Sequence, residues 1–266
     1  MESIVKNIMD STSPAWGICD YAVLQNHLLP CAGRTKIPQG AASVLVALFP
    51  YYLGEDAYFG ANVSRYAVVP DYHEVVIARL NRAVERLQGE FPAERFAAFT
   101  DNSPLPEVYA AVRAGLGVAG ENNLLIHPDY GSWVFIGELV TTLRLDAAQN
   151  GGLHRCTGCG RCVAACPAGI LGKAQFDKTA CLSHITQSKG ELSPEQTQFI
   201  KASGCAWGCD ICQLVCPMNH AAQITPMEEF KADIRLRVRA GDDINGRAYA
   251  WRGRDVIERN LKILQE

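Results

Sequence analysis

The chain has 266 residues, of which 48% are hydrophobic, and a formal net charge of −3. It is long enough to bury a full core in one large or two small domains. Its slightly negative net charge argues against a protein whose whole surface binds polyanions. It has no uninterrupted apolar run of about 18 residues and no N-terminal signal pattern, so we expect no membrane partner and a cytoplasmic location.

The first 150 residues alternate predicted strands and helices. The apolar run at residues 43–51 is typical of a buried strand. Asp71 is predicted to cap a helix, and residues 96–100 form a second short strand that ends immediately before Asp101. The apolar face of the helix has a spacing of 3.6 residues and consists of Val75, Val76, Leu80, Val84 and Leu87.

Two further predictions concern residues 105–140. Residues 105–113 are expected to form a helix that stops at Gly115-Leu-Gly117. Residues 123–127 and 133–140 are expected to pair as strands around a turn at residues 128–131. Together these elements predict an α+β domain over residues 1–150.

Eight cysteines dominate residues 151–222, the second predicted domain. Residues 156–167 have the spacing C-x2-C-x2-C-x3-C-P, and residues 209–217 repeat C-x2-C-x3-C-P. This is the spacing of bacterial two-cluster ferredoxins, in which the fourth cysteine binds the other cluster. We therefore predict two [4Fe–4S] clusters, one bound by Cys156, Cys159, Cys162 and Cys216, the other by Cys166, Cys181, Cys209 and Cys212.

The cysteines have three alternative readings. Cys205 is close enough in sequence to compete with Cys181 as a ligand. Zinc prefers two separated C-x2-C pairs and does not need the C-x3-C-P tails, and disulfides would imply an exported protein.

Pro167 and Pro217 suit the first position of a helix that begins after a cysteine ligand.

Residues 223–266 are predicted to form a short helical tail. Between Lys231 and Lys262 this tail carries nine Lys or Arg residues against five Asp or Glu residues. Such an excess suits a surface that faces phosphates, with Arg247, Arg252 and Arg254 as candidate contacts. An ordinary solvated helix face explains the excess as well.

The order of several short motifs resembles that of epoxyqueuosine reductases, over roughly residues 40–260. The isolated Cys181, in Cys181-Leu-Ser-His-Ile-Thr186, lies where that family has a single cluster ligand, which favours Cys181 over Cys205. The other matching motifs are Ser64-Arg-Tyr-Ala67, Asp71-Tyr-His73, Asp101-Asn-Ser-Pro104, Ala114-Gly-Leu-Gly117, Asn123-Leu-Leu-Ile126, Gly131-Ser-Trp133, Gly137-Glu138 and Gly208-Cys-Asp-Ile-Cys-Gln-Leu-Val-Cys-Pro217.

The resemblance implies an enzyme that reduces a bound cobalamin through two [4Fe–4S] clusters and converts epoxyqueuosine in tRNA to queuosine. It also implies a cobalamin cavity between an N-terminal sheet-and-helix domain and a ferredoxin-like domain, and a flavodoxin or ferredoxin as electron donor. Tyr66, Asp101 and Ser183 are the expected cobalamin-binding residues. The family places no protein histidine beneath cobalt, so neither His73 nor His184 is expected to bind the metal.

Asp101 matches the proton donor of that family. A carboxylic acid whose pKa is raised by burial suits this role, whereas an Asx-turn or helix cap before Pro104 is the structural alternative. Tyr72 and His73 are candidates to line the cavity, although aromatic residues at a helix start are more often core. Thr186, like Ser183, suits either a hydrogen bond to a corrin amide or a structural contact.

Two departures from the family pattern bear on the substrate. Many members continue into a helical-repeat domain of about 100 residues, which we expect this chain to lack. Family members typically have Trp-Ile-Gly-Lys after the Gly-Leu-Gly motif, whereas this chain has Val118-Ala-Gly-Glu121. An acidic residue there would weaken phosphate binding. Reduction of another small epoxide or halide, or electron transfer without a corrinoid, therefore remains an alternative.

Overall fold

The computed structural model describes residues 1–147, 156–173 and 175–265. Its strands are β1 (Ala15–Asp20), β2 (Ser43–Pro50), β3 (Phe96–Thr100), β4 (Val118–Ala119), β5 (Leu125–Ile126) and β6 (Val134–Thr141). Its helices are α1 (Glu2–Asp10), α2 (Arg65–Val68), α3 (Tyr72–Glu90), α4 (Glu107–Arg113), α5 (Arg161–Ala165), α6 (Leu182–Gln187), α7 (Pro194–Ser203), α8 (Ile211–Leu214), α9 (Glu228–Lys231) and α10 (Arg254–Ile263). Single 3₁₀ turns occupy Tyr21–Val23, Gln25–His27, Ala32–Lys36, Glu55–Tyr58, Lys178–Ala180, Pro217–Asn219 and Ala250–Arg252.

The main sheet has four antiparallel strands in the order β1-β2-β6-β3. Every residue of β2 is buried, because the sheet is covered on both faces. Leu45 and Phe49 pack on one face in a core that includes residues of α1 and α3, while Val44 and Val46 pack on the other face against α4. The apolar run at residues 43–51 is thus a two-sided core strand, as predicted.

Helix α3 confirms the predicted cap and apolar face. The Asp71 carboxylate accepts a hydrogen bond from the His73 backbone N–H (3.0 Å). Val76, Leu80 and Leu87 are buried, and the predicted strand before Asp101 is β3. Helix α4 begins at Glu107, later than predicted, because Pro106 precedes its first turn as the N-cap residue.

The strand pairing predicted for residues 123–140 is wrong. β5 pairs with β4, and β6 pairs with β2 and β3. An isolated bridge between His127 and Gly131 closes the turn but does not reach the second predicted strand. Both edges of β6 are occupied by longer partners, so no edge is left for the residues before the turn.

The cysteine segment consists of short helices and turns. α5 packs against α8. Cys166-Pro167 directly follows α5, and Cys216-Pro217 follows α8 after Val215. Pro217 starts a 3₁₀ turn, but Pro167 lies in a tight turn closed by the Gly169 N–H and the Cys166 carbonyl (2.9 Å), not in the expected helix. The glycine after Cys166-Pro-Ala has a positive φ of 58°, which suits this turn.

In the described part of the tail, residues 223–265, the α-helices are α9 and α10, and the backbone between them is mostly irregular apart from the 3₁₀ turn at Ala250–Arg252. A third hydrophobic cluster joins residues of the tail, of the cysteine segment and of the region before α3, among them Tyr249, Trp207 and Val68. The predicted domain boundary at residues 150 and 151 lies outside the described residues. Helix α1 and strand β1, for which the sequence analysis made no prediction, complete the fold. None of the described helices is long and apolar enough to cross a membrane.

Candidate active site

Asp101 follows the last residue of β3 and has a positive φ of 49°. This left-handed conformation is uncommon outside glycine, although Asp tolerates it better than most residues. The Asp101 side chain is 50% exposed, so it lacks the burial on which the expected proton-donor role was argued. The turn that follows is stabilised by Ser103, whose Oγ accepts a hydrogen bond from the Leu105 N–H (3.1 Å).

His73 connects Asp101 to Asp71. Its Nδ1 lies 2.6 Å from Asp71 Oδ1, and its Nε2 lies 3.1 Å from Asp101 Oδ2. Burial by itself would lower the pKa of His73, but the two carboxylate partners outweigh it and raise that pKa to about 9. His73 is therefore an imidazolium at neutral pH, and neither ring nitrogen is left for a metal.

A cavity of about 770 Å³ opens beside Asp101. Its wall contains polar groups from Asn102, Glu107, Asn123 and Lys178 among apolar side chains. A smaller cavity of about 170 Å³, lined by Tyr72 and Phe135, also borders Asp101 and Glu107. Asp101 thus lies where the two cavities meet, with His73 behind it. This is the concave, partly apolar site expected for a large ligand.

Tyr66 and Ser183 lie outside the lining of the large cavity but close to one another. Gln187 Nε2 donates to the Tyr66 hydroxyl (3.2 Å) and lies 3.4 Å from Ser183 Oγ. Tyr66 contacts Tyr72 edge to face (6.2 Å between ring centroids), and Tyr72 stacks on His73 (4.0 Å). A continuous aromatic surface therefore connects this polar group with Asp101.

Thr186 has a structural contact: its Oγ1 accepts a hydrogen bond from the Gly208 N–H (2.9 Å). The pKa of His184 is lowered by burial and by the nearby cations Lys178 and Arg252.

Two carboxyl groups near Asp101, one fully buried and one half-buried, were not identified as functional from the sequence. Glu138, in the middle of β6, is completely buried, and Glu107 occupies the first turn of α4. Burial raises the pKa of both, and in Glu107 the neighbouring charges of Glu138 and Asp101 raise it further. An acidic residue within the apolar run Val-Phe-Ile-Gly-Glu-Leu-Val was the signal that could have revealed Glu138.

Four of the cysteines surround one small cavity of about 20 Å³: Cys156, Cys159, Cys162 and Cys216. They are the four residues that the spacing assigned to one cluster. Cys159 is exposed, whereas Cys216 is buried. Among the described residues, no three His, Cys, Asp or Glu side chains converge on a single-ion position; the four ligands of a cube are separated by the cluster itself and need no such convergence.

The four cysteines predicted to bind the second cluster lie close together, with Cys166, Cys181 and Cys212 near Cys209. Burial raises the pKa of the Cys209 thiol to about 11, and Cys181 and Cys166 are near enough to raise it further. Burial likewise raises the pKa of Cys212 to about 12, with Cys209 and Cys181 beside it. Bound iron would offset the cost of burying these thiolates.

Cys205 has a different environment. Its Sγ lies 3.1 Å from the Trp207 carbonyl oxygen, a hydrogen bond that the thiol donates. Burial raises its pKa to about 12, and Cys209 is a neighbour. Cys181, by contrast, lies beside both Cys209 and Cys212.

The loop that carries Cys209 is joined to the residues before α2. The Asp210 carboxylate accepts from the Arg65 N–H (2.7 Å), and the Ser64 N–H donates to the Trp207 carbonyl (2.8 Å). The buried Arg65 guanidinium lies over the rings of Tyr58 (4.6 Å) and Trp133 (4.7 Å). These contacts hold the cluster loop against the segment that also carries Tyr66.

The basic tail is less available than the sequence suggested. Arg247 is completely buried, and its guanidinium bonds the Asp233 side chain and carbonyl (2.9 Å to the carbonyl), so its predicted contact with phosphate is wrong. Arg254 bonds the Asp242 carbonyl (2.8 Å). Arg252 stacks over Trp251 (3.7 Å), a side chain that is 53% exposed.

Glu121 lies next to the small cysteine cavity and outside the lining of the large one. Glu121 would therefore affect a phosphate in the large cavity through its charge at a distance and not by direct contact.

Two family models match the chain. Residues 34–102 match "Epoxyqueuosine reductase QueG, DUF1730", and residues 155–219 match "4Fe-4S double cluster binding domain". The second match confirms the prediction of two [4Fe–4S] clusters.

Curated relatives agree with these matches. The epoxyqueuosine reductase of Lactococcus garvieae is 34% identical over 220 residues, which cover 77% of this chain and 61% of the relative. That of Cyclobacterium marinum is 32% identical over 227 residues, which cover 84% of this chain and 73% of the relative. The chain thus spans a little more than half of the length of several curated relatives, for example 54% and 58% for those of Listeria monocytogenes and Shewanella oneidensis.

Solved structures share the fold. Epoxyqueuosine reductase from Streptococcus thermophilus has a TM-score of 0.81 at 22% identity, over 99% of this chain and 80% of that one. An epoxyqueuosine reductase bound to an epoxyqueuosine-modified tRNA-Tyr stem loop has a TM-score of 0.79 at 22% identity and the same coverage. The predicted α+β fold with a ferredoxin-like cluster domain is thereby confirmed.

Proposed function

The chain belongs to the epoxyqueuosine reductase family, and on this basis we propose that it converts epoxyqueuosine in tRNA to queuosine, using two [4Fe–4S] clusters and cobalamin. The observation that carries the proposal is the hydrogen-bonded chain Asp71–His73–Asp101 at the mouth of the large cavity. Loss of the epoxide oxygen as water breaks two C–O bonds, forms a C=C bond and consumes two electrons and two protons. The site therefore needs a proton donor beside a reductant.

Asp101 and His73 together provide the first proton in this proposal. The imidazolium of His73 holds the proton on Nε2, facing Asp101 Oδ2 at 3.1 Å. Asp101, half exposed to the cavity, passes the proton to the departing oxygen, and His73 replaces it. Asp71 holds the ring in orientation through Nδ1, as a carboxylate partner does for other catalytic histidines.

The residues around the cavity suit a corrinoid. Bound cobalamin supplies a strongly reducing, nucleophilic centre. The donors and acceptors of Tyr66, Ser183 and Gln187, with Asn123 and Lys178 in the cavity wall, match the amide-bearing side chains of a corrin ring. Both nitrogens of His73 are occupied by carboxylates, so His73 would not bind the metal of a bound cobalamin.

We assign the clusters as the spacing suggested. Cys156, Cys159, Cys162 and Cys216 bind one cube, and Cys166, Cys181, Cys209 and Cys212 bind the other. The common cavity of the first group and the mutual proximity of Cys209, Cys212 and Cys181 support this assignment. Because Cys159 is exposed, the first cube is the natural entry point for electrons from a low-potential flavodoxin or ferredoxin.

The substrate in this proposal is the anticodon loop of a tRNA. The relative bound to a modified tRNA stem loop supports it. In this chain, Lys178 lies in the cavity wall, and the exposed Trp251 stacks with the half-buried Arg252. Aromatic and guanidinium planes of this kind stack on unpaired bases, and the cations bind phosphates.

The test is an anaerobic turnover assay on cluster-loaded protein with cobalamin, a chemical reductant and tRNA that carries epoxyqueuosine, followed by nucleoside analysis. We expect queuosine from the wild type, and a loss of at least about 10²-fold in Asp101→Asn. Glu85→Gln, on the exposed face of α3, is the matched control and should be fully active.

A parallel EPR titration with cob(II)alamin separates the remaining possibilities. A stoichiometric base-off signal without tRNA turnover would redirect the proposal to a small epoxide or halide. The absence of any perturbation would exclude cobalamin chemistry and leave an electron carrier.

A further inference from the structure

Glu138 is an unusual residue for the centre of a sheet. It lies on β6 directly opposite Val46 of β2 and Phe99 of β3. Opposite residues of antiparallel strands point to the same side, and Val46 and Phe99 belong to the core against α4. The Glu138 carboxyl is therefore buried between the sheet and α4.

The Glu138 carboxyl has one hydrogen-bond partner for its two oxygens. Ser103 Oγ donates to Oε2 (2.5 Å), while Oε1 is buried without a partner among the described residues. A buried carboxylate with one neutral donor is costly to keep ionised, whereas the protonated acid is not. The surroundings favour the protonated form.

Glu107 connects this buried acid to the cavities. It is the first residue of α4 and lines both the large and the small cavity together with Asp101. Its Oε1 is also buried without a partner in the described part of the chain. Burial, the charge of Glu138 and that of Asp101 raise the pKa of Glu107, in that order of size. The charge of each carboxyl opposes ionisation of the other, so the pair favours a state that carries one proton.

Other charged groups surround the pair. Asp101 and His73 face Glu107 from the cavity side. Beyond Glu138, on the side of β1, lie Cys19, Asp20 and the guanidinium of Arg113 from the end of α4. Of these, the His73 imidazolium favours ionisation of Glu107, whereas Asp101 opposes it.

We propose that Glu107 and Glu138 share one proton and deliver it, through Glu107, to the Asp101 side of the cavity as the second proton of the reaction. This inference rests on the proposed function. The reaction consumes two electrons, which the clusters carry, and two protons, which leave with the oxygen as water. His73 through Asp101 supplies one proton, and the Glu107–Glu138 pair supplies the other.

A structural role for Glu138 makes different predictions. The Ser103–Glu138 hydrogen bond connects the turn after Asp101 to the sheet, and this bond by itself would position Asp101. In the Glu138→Gln variant the amide oxygen can still accept from Ser103 Oγ, but the amide holds no acid proton. This substitution therefore removes the proton and keeps the connection, whereas Ser103→Ala removes the connection and keeps the acid.

The first experiment needs no turnover. Infrared difference spectra of cluster-loaded protein, recorded during a pH titration without substrate, report protonated carboxyl groups. We expect one carboxylic-acid band that persists at neutral pH and disappears on alkalinisation. In Glu107→Gln and Glu138→Gln this band should change frequency and disappear at lower pH, because only one carboxyl of the pair remains and the charge of its partner is gone, whereas in Glu85→Gln it should be unchanged. A wild-type spectrum without this band at neutral pH would overturn the proposal.

The second experiment compares turnover with epoxyqueuosine-containing tRNA. We expect Glu107→Gln and Glu138→Gln to lower kcat about 10²-fold with KM unchanged. The alkaline limb of the kcat profile should move to lower pH in Glu138→Gln, since the charge that raises the pKa of Glu107 is gone. In Ser103→Ala the alkaline limb should not move to lower pH, because the hydrogen bond from Ser103 favours the ionised form of the Glu138 carboxyl.

The outcomes separate this inference from the proposed function. If the wild type forms no queuosine, the proposed function fails. If the wild type is active and both glutamine variants keep kcat within twofold and the same pH limb, this inference fails while the proposed function stands. Loss of activity in Ser103→Ala with an unaffected Glu138→Gln would leave only the positioning role and would also overturn it.

Discussion

His73 lies between two carboxylates, with Nδ1 2.6 Å from Asp71 and Nε2 3.1 Å from Asp101. At the scale of single residues, this arrangement places the proton on the His73 imidazolium, whereas the sequence analysis expected it on the Asp101 carboxyl group. The sequence placed Asp71, Tyr72 and His73 at a helix start and Asp101 at a strand end. The family resemblance made Tyr72, His73 and Asp101 candidates for one cavity, but nothing in the sequence indicated the direct contact between His73 and Asp101. A contact across 28 residues depends on how α3 packs against β3.

The first prediction concerns this histidine. We expect His73 to titrate with a pKa of about 9, and Asp101→Asn to lower that pKa because the amide carries no charge to stabilise the imidazolium. NMR titration of the imidazole signals in the oxidised protein measures it, with Glu85→Gln as the unchanged control. A wild-type titration at the ordinary histidine value of about 6.5 would contradict the ion pair.

The same shift has a consequence for stability. Since the pKa of His73 is higher in the folded chain, its contribution is fully present below pH of about 6.5 and is lost as pH rises through about 9. His73→Gln should therefore flatten the decline of stability over this range.

A second prediction at this scale separates Cys181 from Cys205. Cys181→Ala removes a proposed ligand, so we expect the reconstituted protein to lose about half of its iron, one cube of two. Cys205→Ala removes a thiol that bonds a carbonyl oxygen and should keep the wild-type iron content. Iron analysis after anaerobic reconstitution measures both, and the reverse result would assign the ligand to Cys205.

At the scale of elements, the site depends on how the cluster loop meets the segment before α2. Gly208 has a φ of 80°, and its N–H donates to Thr186 Oγ1 (2.9 Å). A Cβ at this position would lie 2.0 Å from Ser64 Oγ and 2.8 Å from Tyr66 Cε1. The positive φ and the close approach of the Ser64 and Tyr66 side chains to the Gly208 backbone therefore require a glycine here.

Gly208→Ala tests this approach. We expect it to displace Ser64 and Tyr66, to lower iron content at the Cys209 and Cys212 side and to weaken cobalamin binding. Gly204→Ala is a matched control, because its φ of 66° gives a similar backbone penalty and a Cβ there meets nothing within 4 Å. Cobalamin affinity from absorbance titration measures the difference, and equal effects in both variants would show that only backbone strain matters.

On the scale of the whole molecule, the tail links the cluster segment to the N-terminal region. Asn260, fully buried on α10, donates from Nδ2 to the carbonyls of Thr186 (2.7 Å) and Ala206 (2.8 Å). Arg247 likewise donates a hydrogen bond to the Val68 carbonyl (3.3 Å). Arg247, one of the basic residues that suggested a nucleic-acid surface, thus serves together with Asn260 to satisfy buried carbonyl groups.

Asn260→Ala should therefore destabilise the whole protein. It leaves two buried carbonyls without their donor, at a cost of about 1–3 kcal/mol each. We expect a lower midpoint in denaturant unfolding and faster loss of iron–sulfur absorbance. Asn245→Ala, at an exposed position of the same tail, is the control. Equal midpoints in the two variants would show that the tail contributes little to cohesion.

The sequence by itself determined the features whose physics is local. Eight thiols at fixed short spacings can reach a cube only in a few ways, so the cluster type and the grouping of Cys156, Cys159, Cys162 and Cys216 followed from spacing. The core strand β2 and the cap and apolar face of α3 also followed, because periodicity and capping act within a few residues of the chain.

Only the tertiary structure decided which distant groups meet. It paired His73 with Asp101, buried Glu138 behind Glu107, gave β6 the partners β2 and β3 in place of residues 123–127, and turned Arg247 inward. Each of these depends on packing between segments far apart in the chain, and on the cost of burying a charge, which is set by neighbours and not by spacing. For this reason the sequence revealed the cluster cysteines but not the contacts made by His73 and Glu138.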